Sequence, residues 1–198
     1  MTNHLTNYPK QPASSEEMLD AIQRDAFGYF LHETNLANGL VADKTQPDAP
    51  ASIAAVGFAL AAYPVGVERS WMTRAEAVER TLAVLRFFWN SPQGTAPDAT
   101  GYKGFYYHFL DMKTGRRAGR CELSTVDTAF LLAGMLTAAI YFDQDGEEER
   151  EIRAIGLWVR SAFSYSTAPF NRDSVPSSTW IYSFTFGRRW RISHILAA

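Results

Sequence analysis

The chain has a single cysteine, Cys121, so no disulfide can close within it. Its four histidines stand apart at positions 4, 32, 108 and 194, and with that cysteine they give no metal-ligand spacing. Charge of one sign is also lacking: 19 basic residues against 21 acidic ones leave a net charge of -2. A phosphate backbone calls for a concentrated basic face, so a nucleic-acid partner is not expected. The longest apolar run, Thr128 to Phe142, is 15 residues, short of the roughly 20 that span a bilayer, and no membrane partner is expected. The polar start MTNHLTNYPKQPASSEEM has no apolar signal-peptide core, so a cytoplasmic protein is expected, or a periplasmic one if the true start lies upstream. No P-loop, HExxH motif or cysteine cluster occurs, and neither a metal nor a cofactor is expected.

What is present suits a globular domain: 198 residues, 46% hydrophobic and 20% charged. A capping box, Ser14 with Glu17, opens a first helix running to about His32, whose apolar positions Leu19, Ile22, Ala26, Phe27, Phe30 and Leu31 recur at helical spacing. Asn38-Gly39 makes a turn, Leu40 to Lys44 is extended, and Ser52 is a candidate N-cap. The second helix, IAAVGFALAAY from Ile53 to Tyr63, carries no charge, which predicts burial on all sides, with Pro64 and Gly66 ending it. Thr73 with Glu76 caps an amphipathic third helix to about Trp89. The fourth, from about Thr125 to Phe142, is apolar after Asp127, and the fifth starts near Glu147 and presents Ile152, Ile155, Trp158 and Val159 on one side. Amphipathic and apolar helices therefore alternate. Helical hairpins in two concentric layers, an α/α toroid, have that order, and so does a bundle with two central helices. The long loops exceed what bundles usually carry and favour the toroid.

The stretch GYKGFYYHFLDMKTGRRAGRCELSTVDTAFLLAG, residues 101–134, gathers aromatics, cations and carboxylates at the mouth of the fourth helix. That combination suits a neutral, hydroxyl-rich ligand, an oligo- or polysaccharide. Glycoside cleavage needs two carboxyl groups, about 5–5.5 Å apart for retention or about 6.5–9.5 Å for inversion. Glu122 is the first choice for a catalytic carboxylate, since it stands two residues before Ser124, a candidate N-cap; an ion pair with Arg116, Arg117 or Arg120 would explain it equally. Asp127 lies three residues after Ser124, so it is either a capping residue or a second carboxylate of the cleft. Asp111 is the third candidate, in a turn where an aspartate is ordinary. In the aromatic run, strand alternation would turn Tyr106 and His108 to the cleft and pack Phe105 and Tyr107 inside, although core packing could claim much of the run. Lys103, Arg116 and Asp43 complete the candidate substrate contacts.

The segments NGLVADK, SIAAVGFALAAYPVGVERSWMTRAEAVERTL, the 101–134 stretch and EREIRAIG, in this order, resemble the glycoamylase-like family. That family includes bacterial endo-β-1,2-glucanases and a domain of cyclic β-1,2-glucan synthases. The resemblance covers about Leu19 to Gly156. It implies an all-α (α/α)6 toroid, here partial, with about five helices of alternating outer and inner type, and hydrolysis or transfer of β-linked glucans.

Composition changes after the fifth helix begins. Residues 161–198 hold 8 of the 14 serines, no Glu, no Lys and one leucine, Leu196, and carry a charge of +3. The expected organisation is a disordered arm over 1–13, a partial toroid over 14–160 and an atypical tail over 161–198. Either the reading frame was lost near residues 157–161, or the C-terminus is divergent and genuine. A half-ring leaves inner helices without neighbours. At roughly 25 cal/mol per Å², several hundred exposed Å² would forfeit on the order of 10 kcal/mol, comparable with a domain's whole stability of about 5–15 kcal/mol. Such a fragment is expected to be marginal, aggregation-prone, or paired with another chain, self-association through the open half being one way to pair.

Overall fold

A computed structural model describes residues 14–167, and the expectations for the arm over 1–13 and for most of the tail over 161–198 lie outside the described residues. Five helices carry the structure: α1 (Ser15–His32), α2 (Ile53–Glu68), α3 (Arg74–Asn90), α4 (Thr125–Tyr141) and α5 (Glu147–Thr167). Between them lie five very short strands: β1 (Ala51–Ser52), β2 (Gly101–Tyr102), β3 (Phe105–Tyr107), β4 (Phe109–Leu110) and β5 (Leu123–Ser124). β1 pairs antiparallel with β4, and β3 pairs antiparallel with both β2 and β5. α2 and α4 form the inner pair, while α3 and α5 lie outside them, as the alternation of apolar and amphipathic helices predicts.

The inner pair meets at two glycines. A Cβ on Gly57 would stand 2.3 Å from the carbonyl oxygen of Phe130, and one on Gly134 would stand 2.2 Å from the carbonyl oxygen of Gly57. Only hydrogen at both positions lets the two backbones touch, and that contact brings Val56, Leu60, Leu131, Met135 and Ala138 into one buried core. The helix-propensity cost, about 0.5–1 kcal/mol for each glycine, is offset by this packing.

The outer pair is tied by charge. Arg74 at the start of α3 makes a two-pronged contact with Glu149 near the start of α5, Nε to Oε1 at 2.8 Å and Nη2 to Oε2 at 2.9 Å. Glu149 is buried, and its second acceptor site takes the backbone N–H of Gln144. The Arg74 guanidinium and these bonds hold the Glu149 carboxyl below the ordinary range, so the contact stabilises the fold fully above that range and is lost as pH falls below it, through the lowered native value. Arg86, far along α3, makes a second fork with Glu151, which lies just past Glu149 on α5.

Three details depart from the pattern read off the sequence. α2 does not stop at Tyr63 but runs through Pro64 and Gly66 to Glu68. Pro64 deletes one helical hydrogen bond, yet both residues are buried, and Gly66 takes the edge of the Phe27 ring, where a Cβ would clash at 2.2 Å. Burial outweighs the missing bond. Second, the apolar packing of α1 lies in its C-terminal half: Phe27 is buried, whereas Met18, Leu19 and Ile22 are exposed; at its start Ser14 accepts from Glu17 N–H, as the cap read off the sequence predicts. Third, the apolar inner helices are not buried on every side. Phe58 and Val65 of α2, and Val126, Phe130 and Ile140 of α4, lie on exposed faces, with the Phe58 and Phe130 rings 5.1 Å apart. Among the described residues these five helices leave those apolar faces exposed.

Gly57→Ala and Gly134→Ala should each lower unfolding stability by about 1–3 kcal/mol despite alanine's better helix propensity, because a methyl forced against backbone is overpacking. Gly28→Ala in α1 is the control, since its nearest neighbour would be 3.8 Å away, and it should gain up to about 1 kcal/mol. Denaturant melts of the three variants check the opposite signs.

Candidate functional site

Both inner helices start at the same place. Ser52 caps α2 by accepting from Ala55 N–H, and Ser124 caps α4 by accepting from Asp127 N–H at 3.1 Å. The backbone of His108, in the break between β3 and β4, spans the two starts: its carbonyl accepts from Ile53 N–H, and its N–H donates to the carbonyl of Glu122. Thr128 adds a second tie, donating to Ser124 O at 2.6 Å while accepting from Tyr106 N–H at 3.0 Å.

The His108 ring lies between two carboxylates. Its Nδ1 is 2.9 Å from Glu122 Oε1, and its Nε2 is 3.5 Å from Asp127 Oδ2. The ring stacks on Phe109 with centroids 3.9 Å apart and planes 20° from parallel. Exposure rises along the line: the Asp127 side chain is 17% exposed, His108 31% and Glu122 70%. The three groups thus lead from the helix mouth out to solvent, ending in a carboxylate a ligand could reach. The hydrogen bond to His108 is the chief cause holding the Glu122 carboxyl below the ordinary glutamate range, aided by its own backbone N–H and the positive Arg117. Two helix N-termini at the same point add positive potential.

The sequence-predicted residues divide into two groups. Glu122, His108 and Asp127 are brought together. Asp127 does not close a capping box with Ser124; its backbone takes the cap bond while its carboxylate faces the imidazole. Asp111 is occupied within its own turn, accepting from Lys113 N–H, Thr114 N–H and the Thr114 hydroxyl, bonds that hold its carboxyl below the usual range. Arg116 pairs with Asp98 at 2.9 Å, away from the trio. Lys103 sits at the β2–β3 turn with positive φ, its Nζ 5.2 Å from the Tyr102 ring centroid. Asp43 is exposed beside the Ala42–Ala51 bridge and makes none of the trio's contacts.

Tyr106 corrects the expected alternation. It packs inward, edge-on to Phe88 at 4.9 Å, and burial pushes its hydroxyl up to about 12, while Phe105 is the exposed member of the run. The run is not one strand: β3 joins β2 and β5 whereas β4 joins β1, so the alternation breaks at His108. Sequence reasoning also left open which arginine matters. Arg117 is the cation beside Glu122, held by the Cys121 carbonyl and lying 4.2 Å over the Tyr107 ring. The Leu110–Arg117 bridge sets that position, and no spacing rule in the sequence distinguishes it from Arg116 or Arg120.

One exposed carboxylate aimed by an imidazole can act as a base or nucleophile, or bind sugar hydroxyls. The ring fills the gap between Glu122 and Asp127, so these two do not face each other across an open cleft. Among the described residues no group of three or more His, Cys, Asp or Glu side chains is set to hold a metal ion, and no helix is long and apolar enough to cross a membrane.

The arrangement makes Glu122's acidity depend on the ring. Its carboxyl should titrate below an exposed glutamate in the folded protein and return toward the ordinary value in His108→Ala. Carboxyl-carbon NMR against pH reads this shift, and an unchanged titration would mean that the contact is absent in solution.

No family model matches the chain. An exo β-1,2-glucooligosaccharide sophorohydrolase (non-reducing end) from Parabacteroides distasonis is 31% identical over 163 residues, which is 78% of this chain and 21% of that protein. Among solved structures, a candidate glucoamylase from Bacteroides uniformis superposes with a TM-score of 0.67 and 28% identity, over 76% of this chain and 36% of that one. A β-1,2-glucanase from Parabacteroides distasonis gives a TM-score of 0.63 and 29% identity, over 75% of this chain and 21% of that one. The chain spans between about a fifth and just over a third of the length of these relatives. Over about three quarters of its own length the chain is similar in sequence and fold to these glucoamylase-like and β-1,2-glucan-acting proteins, and its five helices follow part of an α/α toroid.

Proposed function

We propose that this chain supplies one wall of a glycoside hydrolase cleft that acts on β-linked glucan, with β-1,2-glucan the first substrate to try. The observation that carries the reading is the exposed Glu122 carboxylate, held at the joint mouth of two inner helices by His108. Relatives named for β-1,2-linked glucose substrates support the substrate class. Glu122, with its lowered pKa, suits the role of base or nucleophile. The carboxylic acid that protonates the leaving oxygen must stand on the far side of the sugar, where Asp127, behind the imidazole, does not reach. The remaining part of the toroid is the natural source of that acid, since the chain spans only 21–36% of its relatives' lengths. A partner polypeptide or a second copy on the open flank would have the same effect.

A second reading has its own support. The imidazole between the two carboxylates leaves a single reachable carboxylate, which is the composition of a sugar-binding surface without turnover.

Reducing-end release from linear β-1,2-glucan separates the two. Under the first reading the purified full chain, alone or completed by the rest of the ring, releases reducing ends, and Glu122→Gln lowers the rate by about 10²-fold or more, the scale set by losing an acid–base group. Under the second, the same glucan raises the melting temperature while no reducing ends appear in either protein.

A further inference from the structure

We propose that His108 is a positioning residue, which donates its Nδ1–H to Glu122 and so fixes the direction in which that carboxylate meets a sugar. The inference deepens the reading above and rests on it for the role of Glu122, though not for the geometry. Three contacts fix the ring. Its main chain is bonded to both inner-helix starts, through Ile53 N–H and the Glu122 carbonyl. One ring face is stacked on Phe109. Its far nitrogen faces Asp127, which is rooted in the first turn of α4.

The contact lengths assign the hydrogen. A nitrogen 2.9 Å from a carboxylate oxygen needs a hydrogen between them, and an exposed Glu122 carboxyl with a lowered pKa does not supply it. Nδ1 therefore carries the hydrogen, whether the ring is neutral or charged. At 3.5 Å the Asp127 contact is longer than a good hydrogen bond, so Asp127 steers the ring by charge. The charged groups paired with His108 are Glu122 ahead of β5 and Asp127 on α4, with Arg117 acting on Glu122, and the start of α2 meets it through the Ile53 N–H. Free glutamate at 70% exposure would sample several rotamers, and one directional bond from a fixed ring removes most of that freedom.

The test uses the full chain with ¹⁵N-labelled histidine, the His108 signal being identified by its loss in His108→Asn. Long-range ¹H–¹⁵N spectra should show a protonated Nδ1 in the wild type, reverting in Glu122→Ala to the tautomer with the hydrogen on Nε2. A wild-type ring with its hydrogen on Nε2 alone, unchanged in Glu122→Ala, would overturn the proposal, and neither result depends on turnover. Kinetics on linear β-1,2-glucan then probe the consequence. Misplacing a reacting group costs on the order of 10²-fold, so His108→Ala should lose about that much in kcat with KM little changed. Asparagine can mimic the Nδ1 donor and glutamine only Nε2, so His108→Asn should recover at least part of the rate and His108→Gln none. Equal losses in all three variants would mean that the ring only packs. If Glu122→Gln keeps full activity while the Nδ1 tautomer is observed, the role given to Glu122 fails and the hydrogen bond stands.

Discussion

The contact between Gly57 and Gly134 is the constraint on which the rest of the structure depends. Backbone meets backbone there, so the separation and rotation of α2 against α4 are fixed more tightly than side-chain packing would fix them. With the helices in that register their N-termini open at one point, and the main chain of His108 can bond to both. The same register leaves α3 and α5 to cover the outside, joined by the forked Arg74–Glu149 and Arg86–Glu151 contacts. A site built on two helix starts needs no long strands. The two- and three-residue strands around it serve only to bring β4 alongside β1 and β3 alongside β5.

Much of this was legible in the sequence because local chemistry decides it. Ser52, Thr73 and Ser124 mark helix starts that the structure keeps, and the contrast between uncharged and amphipathic helices separates inner from outer. Glu122 and Asp127 were readable as carboxylates at a helix mouth for the same reason. The failures are tertiary. Pro64 and Gly66 read as a stop, but a buried environment and the Phe27 ring hold them inside α2. Tyr106 read as cleft-facing because strand alternation was carried across residue 108, where the chain passes from one sheet to the other. No local signal announces that exchange of partners. Nor does spacing show that Arg116 turns to Asp98 while Arg117 turns toward Glu122.

Electrostatics and exposure run the same way at the site. Asp127 is rooted in the first turn of α4, His108 lies half-buried against Phe109, and Glu122 reaches solvent. Phe58, Val65, Val126, Phe130 and Ile140 form exposed apolar faces on the inner helices. The trio at the helix mouth and the exposed apolar faces lie on the same pair of helices.

The measurement that bears most directly on the central claim is a titration of the ¹⁵N-labelled full chain with short linear β-1,2-glucans, beside α-1,4-linked maltooligosaccharides as a control. If the mouth of α2 and α4 is a β-glucan site, saturable shifts will centre on residues 105–111 and 120–128 with the β-1,2-linked sugars and be weaker with the control. Shifts that centre elsewhere, or that are equal for both sugars, would contradict it.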